Sequence, residues 1–315
     1  MSISSDNKLL FKLADYFFVL RPTLWFPVWT MILCGAGGGK FFIREDFYGL
    51  LTVSGLTMLM AAVYLLNQIR DIENDRINNK LFFLSDEIIT KKNVFIYFSV
   101  LTVSGVLCLI LSSNWSLSLS VAGILIVTGG MYNLGKTALK NRAWGSIIIT
   151  ALGGAGLLVI GWFLAVRGFP LDWLELGAYT CAFTATGLMT MIPDRKGDEL
   201  TGKITFSVKY GKLLTARVGS ILCMSAVVIA IIQEIQPLII AASCSLPFFF
   251  WASVVADNRA VNLAVKISIF ALSVAIAVLN YPLYLIAMII YFPVARIYYK
   301  KRFKITYPSF TLNNY

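Results

Sequence analysis

Apolar positions in this chain fall into long unbroken runs rather than alternating with polar ones. The runs lie near 23–42, 48–67, 93–112, 115–132, 144–167, 172–192, 213–233, 236–256, 262–280 and 281–298. Most approach or exceed the ~20 residues that an α-helix needs to cross hydrocarbon. A transmembrane β-barrel would show ~10-residue segments of alternating polarity instead. The pattern predicts an all-α integral membrane protein, a bundle of nine or ten transmembrane helices. The count depends on how residues 236–298 are divided.

Composition agrees. Of the 315 residues, 58% are hydrophobic and 14% charged, against roughly 25% charged in soluble domains. The net charge of +11 could suggest a nucleic-acid partner, but the positions of the charges argue against one. Between the predicted spans, Lys and Arg crowd alternate loops. One face takes Lys8, Lys12 and Arg21, then Arg70, Arg76, Lys80, Lys91 and Lys92. It also takes the basic residues of 136–142, 195–212, Arg259 and 300–304, while the opposite face has Lys40, Arg44 and Arg167. By the positive-inside rule the crowded face is cytoplasmic, with both termini there. The basic balance is then largely topology, and the expected location is the cell inner (plasma) membrane.

No cleavable leader is expected, because Lys8, Lys12, Asp15 and Arg21 give a polar, mixed lead-in to the first span. The five cysteines form no CxxC pair, which gives no support to a disulfide framework or a zinc site. There is no histidine. Any metal must therefore be held by oxygen, which favours Mg²⁺ or a similar hard cation.

The chain reads as one domain over 1–315, with no linker or low-complexity tract. Two cytoplasmic loops, 68–92 and 193–212, stand out. They follow the second and sixth spans and so share a face. The first reads Asp71-x3-Asp75-x4-Lys80 and the second Asp194-x3-Asp198-x4-Lys203, as expected of two pseudo-repeats that each carry one Asp-rich motif. On a helix, Asn67, Asp71 and Asp75 occupy a stripe ~80° wide, and Asp194 and Asp198 share a direction. Like charges at i,i+4 weaken a helix, and carboxylates at the edge of hydrocarbon pair, line cavities or bind something. A solvated polar face ordinarily accounts for a single such pair. Two pairs on one face, each followed by Lys, point to one acidic site. Mg²⁺ takes one or two carboxylates and completes its shell with water and phosphate oxygens, so two ions on a diphosphate suit four aspartates. The basic loop 132–145, with Lys136, Lys140 and Arg142, could neutralise phosphate. Trp25, Phe26, Tyr64, Tyr132, Trp144 and Trp162 could wall a tunnel, although membrane-belt positions account for most such aromatics. The glycine clusters near 35–39, 129–130 and 153–156 suit close helix packing.

These residues resemble the UbiA superfamily of intramembrane prenyltransferases. "NQIRDIENDRINNK" matches its first motif, NxxxDxxxD, at Asn67, Asp71 and Asp75. "IPDRKGDELTGKITFSVKYG" is similar to its second, DxxxDxxxGKxT, at Asp194, Asp198, Gly202, Lys203 and Thr205, followed by Val208 and Gly211. "LRPTLWFPVWTMILCG" is similar to the first span with its Arg-Pro entry, and "YNLGKTALKNR" to a Tyr-containing loop at Tyr132, Leu139, Lys140 and Arg142. The resemblance covers about residues 15–215. The chain departs from it at Gln68, which stands where Asp is common and so removes one possible metal-side carboxylate, at Gly135-Lys136, where Pro-Pro is usual, and in "NKLFFLS". The family usually has nine spans, so a tenth would be an addition after the ninth.

The resemblance implies a Mg²⁺-dependent prenyltransferase with a cytoplasm-facing active site. A polyprenyl group would pass from an allylic diphosphate to a small lipophilic or aromatic acceptor, releasing pyrophosphate. It implies catalytic and metal-ligating roles for Asn67, Asp71, Asp75, Asp194 and Asp198, with two Mg²⁺. Lys140, Arg142, Lys203, Arg70, Arg76, Tyr132 and Arg21 would contact the diphosphate. A terpene cyclase with the same ionisation also fits. From another class, a cation-coupled secondary transporter would place its acids near mid-bilayer on broken helices, whereas here they cluster at cytoplasmic ends.

Overall fold

The structure, a computed structural model, describes residues 5–37, 47–77, 83–112, 115–125, 130, 138–165 and 171–308. Among the described residues there is no strand, and the α-helices are α1 (Ser5–Phe18), α2 (Trp25–Ala36), α3 (Phe47–Ile77), α4 (Lys91–Leu111), α5 (Trp115–Leu125), α6 (Ala143–Leu164), α7 (Trp173–Leu200), α8 (Phe206–Ile232), α9 (Gln236–Val255), α10 (Asn258–Leu279) and α11 (Pro282–Phe303). The described part of each of the ten apolar runs falls largely on a helix. Eight helical segments among the described residues are long and apolar enough to cross a membrane. The other two runs fall on α5, described to Leu125, and on α7, whose threonines and charged last turns dilute its apolar character. The chain is an integral membrane protein. On α4, Phe95, Ile96, Val100, Val103, Leu107 and Leu111 are all exposed, a face that suits hydrocarbon rather than water.

Helix length places the motifs. The 31 residues of α3 and the 28 of α7 rise ~46 and ~42 Å, beyond the ~30 Å of hydrocarbon. Both acidic segments, read as loops from charge, therefore begin as helix. No glycine or proline interrupts Asn67–Ile77, and the helix continues past the apolar run. Pro193 lies inside α7 just before Asp194, removing a helical hydrogen bond as the motif begins.

The chain divides into two compact units. One comprises Met1–Phe26, Glu45–Ser113 and Ile286–Tyr315, and the other Pro27–Arg44 and Asn114–Leu285. In the first, α3 packs along α4, where a Cβ on Gly55 would lie 2.9 Å from the Gly105 carbonyl oxygen. Its core joins Phe18, Val19, Leu20, Leu65, Phe83 and Tyr298. In the second unit α7 is central, packed against α6, α8 and α10. Asp172 caps its start, accepting from the Leu174 and Glu175 amides at 3.0 Å each. Thr30, on α2, bonds Ser273 of α10 at 2.7 Å and the Tyr284 hydroxyl at 3.0 Å, so its polar group is satisfied inside the unit.

Candidate active site

The second motif folds back on itself through a defined helix ending. Gly202 has φ 74°, the left-handed conformation that favours glycine. The Lys203 amide donates to the Asp198 carbonyl at 2.8 Å and the Gly202 amide to that of Glu199 at 3.2 Å. This is the Schellman pattern, which satisfies the last carbonyls of a helix. The reversal places Lys203 Nζ 3.9 Å from Asp198 Oδ1, and Thr205 Oγ1 donates to Asp198 Oδ2 at 3.3 Å. Asp198 is only 5% exposed. Thr205 occupies the N-cap of α8, yet its side chain caps no backbone amide there, because the hydroxyl is turned to the aspartate. Glycine, lysine and threonine of the GKxT stretch thus each serve Asp198. Asp194, one turn earlier, is half-buried.

The neighbouring basic segment belongs to the same unit. The Ile204 amide donates to the Asn141 carbonyl at 3.0 Å, which ties the short 3-10 turn Leu139–Asn141 to the chain after Lys203. Arg142 is exposed at the start of α6. Lys140 contributes its backbone to that turn; its side chain and all of Tyr132 lie outside the described residues.

Gly211 ends the motif with φ 83° and ψ 164°, inside what is otherwise the continuous helix α8. Only glycine enters that region readily. The break separates the turn Phe206–Tyr210 from the rest of the helix. Trp144 Nε1 donates to the Tyr210 hydroxyl at 3.2 Å, and the Trp144 and Phe206 rings pack edge-on at 5.5 Å. A Cβ on Gly211 would meet nothing within 4 Å, so Gly211→Ala carries a torsional penalty alone. We expect it to cost about 1–3 kcal/mol, measured by thermal unfolding in detergent.

The first motif is built on α3. Asp75 is buried, Asn67 and Asp71 are half-buried, and Arg70 and Arg76 are exposed. Arg21 Nη2 donates to Asp75 Oδ2 at 3.4 Å. Arg21 sits between α1 and the 3-10 turn Pro22–Leu24 with φ 52° and ψ 54°, a left-handed conformation that a non-glycine residue adopts at a cost of ~1–3 kcal/mol. The surroundings hold it there. Trp25 Nε1 donates to the Leu20 carbonyl at 3.1 Å and the Tyr64 hydroxyl to that of Leu24 at 3.1 Å. Arg76 pairs with Glu73 at 3.4 Å on the exposed side.

Gln68 corrects an inference from the sequence. Its departure from the usual Asp reads there as loss of a carboxylate beside the metal. Here Gln68 is 1% exposed, and its amide donates to the Val19 carbonyl at 2.8 Å. The residue fastens α3 to the end of α1 and does not line the acidic stripe, because one step along a helix turns the side chain by ~100°.

The donor set suits a hard divalent ion. Each motif offers carboxylate and amide or hydroxyl oxygens with no sulfur or imidazole. Among the described residues no three Asp, Glu, Cys or His side chains form a ready metal cage. Such a sparse set matches a cation that draws the rest of its shell from substrate and water.

The model of the UbiA prenyltransferase family matches residues 23–266. The chain belongs to this family. Both acidic motifs fall inside the matched stretch. Among curated proteins, this UbiA-family chain is 29% identical over 164 residues to a digeranylgeranylglyceryl phosphate synthase of Methanococcus aeolicus. That stretch spans 50% of this chain and 54% of the relative, about half the length of each. Among solved structures, a UbiA homolog from Archaeoglobus fulgidus bound to GPP and Mg²⁺ aligns with TM-score 0.63 and 16% identity, over 84% of this chain and 99% of that one. The same homolog bound to DMAPP and Mg²⁺ gives 0.62 and 15%, over 84% and 100%. The apo UbiA homolog from Aeropyrum pernix K1 gives 0.60 and 13%, over 84% and 98%. At these identities the structural likeness establishes the fold.

The sequence singles out the aspartates but not two supporting groups, Asp15 and the residues around Tyr307. Asp15 had a signal. It follows Phe11 by four residues and precedes Phe18 by three, on the apolar stripe of α1, where a carboxylate needs a partner.

Proposed function

We propose that the chain transfers a polyprenyl group from an allylic diphosphate to a lipophilic acceptor, with the cytoplasmic ends of α3 and α7 serving the same diphosphate. The observation that carries this reading is the aspartate–cation pair in each motif: Asp75 with Arg21 at 3.4 Å and Asp198 with Lys203 at 3.9 Å. Each pair lies at the end of a helix long enough to leave hydrocarbon, which suits a substrate with a charged head and a greasy tail. Asn67, Asp71 and Asp75, and Asp194 and Asp198, would hold Mg²⁺, which when bound neutralises the departing pyrophosphate as a Lewis acid. The Mg²⁺ and prenyl diphosphate ligands of the A. fulgidus homolog support that assignment.

The allylic C–O bond breaks and pyrophosphate leaves with the electron pair. The acceptor nucleophile then bonds to the allylic carbon and loses a proton. Arg21 and Lys203, on carboxylates before substrate arrives, would turn to phosphate oxygens once those carboxylates bind metal, as fixed positive charges for the developing negative one. Arg142 and Lys140 would add charge from the adjacent turn, Tyr132 would contact the diphosphate as well, and Arg70 and Arg76 would steer the incoming anion. Water would have to be kept from the allylic cation until capture.

The name of the M. aeolicus relative puts a prenylated glyceryl phosphate first among acceptors to test. Purified protein would be incubated with geranylgeranyl diphosphate, Mg²⁺ and separate acceptors: a geranylgeranylglyceryl phosphate, a hydroxybenzoate and a dihydroxynaphthoate. Products would be identified by mass. A product heavier than its acceptor by one prenyl unit supports transfer and names the acceptor. A cyclic hydrocarbon formed without any acceptor would instead support the cyclase reading.

A further inference from the structure

The family match covers 23–266, so α1, α11 and the residues after α11 lie outside it. These outlying segments are fastened to one another. Asp15 of α1, 4% exposed, accepts from Arg302 Nε and Nη2 at 3.1 Å each and from the Tyr298 hydroxyl at 2.5 Å. Phe18 stacks on Tyr298 at 3.9 Å with an interplanar angle of 10°. A bidentate guanidinium on a buried carboxylate, backed by a stacked ring, is a specific clamp rather than a chance surface pair.

The clamp leads to the first motif along both strands of chain. From α1 the chain turns through Leu20 into Arg21, the partner of Asp75. From α11 it continues to Tyr307, whose ring meets Tyr299 edge-on at 4.9 Å. The Tyr307 side chain hydrogen-bonds Thr23, whose hydroxyl lies 2.8 Å from that of Tyr291. Thr23 lies in the 3-10 turn Pro22–Leu24, whose N-cap is Arg21. Burial pushes the Tyr307 phenol above its ordinary range, so the group stays a neutral hydroxyl. A core contact alone would be served by phenylalanine. A hydroxyl bonded to the turn that follows an arginine held in a left-handed backbone is suited to fixing that arginine.

We propose that the segment after α11 completes the first half of the active site, with Tyr307 a positioning residue that sets Arg21 for the substrate diphosphate and the Asp15–Tyr298–Arg302 clamp holding it in place. This inference rests on the prenyl diphosphate reading above. It gives α11, which lies beyond the family match, a role in substrate binding: returning the chain to the turn that follows Arg21, the partner of Asp75.

The test uses the full chain in detergent, with geranylgeranyl diphosphate, Mg²⁺ and the acceptor of highest turnover. Tyr307→Phe keeps the ring and removes the hydroxyl. It is expected to raise KM for the diphosphate about fivefold to tenfold, the size of one lost hydrogen bond, with kcat within about twofold and an unchanged melting temperature. Arg302→Lys, which loosens the bidentate clamp, should shift KM in the same direction. In an Arg21→Ala background Tyr307→Phe should have no further effect, since additivity fails for residues acting through one another. Tyr48→Phe, at the other end of α3, serves as control. Wild-type kinetics for Tyr307→Phe, or an undiminished effect in the Arg21→Ala background, would overturn the inference while leaving the prenyltransferase reading intact. A wild type that binds no Mg²⁺-diphosphate in a calorimetric titration would overturn both.

Discussion

Replacing Asp198 by alanine is expected to lower pyrophosphate release about 10³-fold, the upper range for deleting one preorganised charge-stabilising group. Three features of the second motif converge on this carboxylate. The Schellman turn at Gly202 reverses the chain, Lys203 reaches one oxygen and Thr205 donates to the other. On the proposed function, removing the carboxylate would take away a metal ligand, and it removes the group that pairs with the adjacent cation. Asp198→Asn retains volume and the bond from Thr205 but not the charge, and should be nearly as inactive. The stability cost separates the two. Alanine leaves Lys203, 15% exposed in its side chain, facing a void, and should destabilise by about 3 kcal/mol; asparagine should cost clearly less. Steady-state release assays with thermal unfolding of both variants check the two parts. Equal activity of Asp198→Asn and wild type would mean that the charge is not used.

The second large effect is structural. Gly161→Ala should destabilise the protein by about 3 kcal/mol, the upper part of the range for overpacking, and lower its melting temperature by roughly 10 °C. A Cβ at Gly161 would fall 1.8 Å from the Ile32 carbonyl oxygen and 2.9 Å from the Ala36 amide nitrogen. The opposing atoms are backbone and cannot rotate away. Gly35 meets the same crossing from α2, where its Cβ would lie 2.0 Å from the Leu158 carbonyl oxygen. In hydrocarbon, close approach of this kind is a principal means of holding helices together. Gly177, on α7, has nothing within 4 Å of an added Cβ, and Gly177→Ala should leave stability unchanged or slightly raised. Similar losses at both positions would point to a general intolerance of α-helical glycine replacement rather than to the α2–α6 crossing.

The spans were legible because the bilayer imposes a length and a polarity that composition cannot disguise. The division of residues 236–298, which the sequence left open, falls into α9, α10 and the start of α11, with the last boundary at Asn280-Tyr281-Pro282. Charge misled at the ends of α3 and α7. A run of acids and bases reads as loop, yet a helix leaving the membrane needs no apolar residues to continue. The lead-in before residue 23 read as polar and mixed, whereas Ser5–Phe18 is helical. A 14-residue segment has little helical stability of its own, and the clamp at Asp15 that favours it is a contact 287 residues distant in sequence.

In the candidate site, the aspartates were visible because acids at i,i+4 on a membrane boundary are costly unless they bind or pair with something. Their partners were less so. Arg21 stood out little because nothing in "LRPT" announces a left-handed residue before proline. Gln68 was misread because motif comparison aligns residue types, whereas burial is decided by helix phase. Tyr307 lies beyond the motifs and the family match, and only the folded chain brings it to Thr23.

Ionisation of an allylic diphosphate by both aspartate motifs together is tested most directly by pyrophosphate release. Purified protein would be assayed with geranylgeranyl diphosphate and acceptor, with and without Mg²⁺, for wild type, Asp71→Ala and Asp194→Ala. Release should require Mg²⁺ and be abolished by either substitution alone. Release that persists without a divalent ion, or survives loss of either aspartate, would contradict a shared two-motif site.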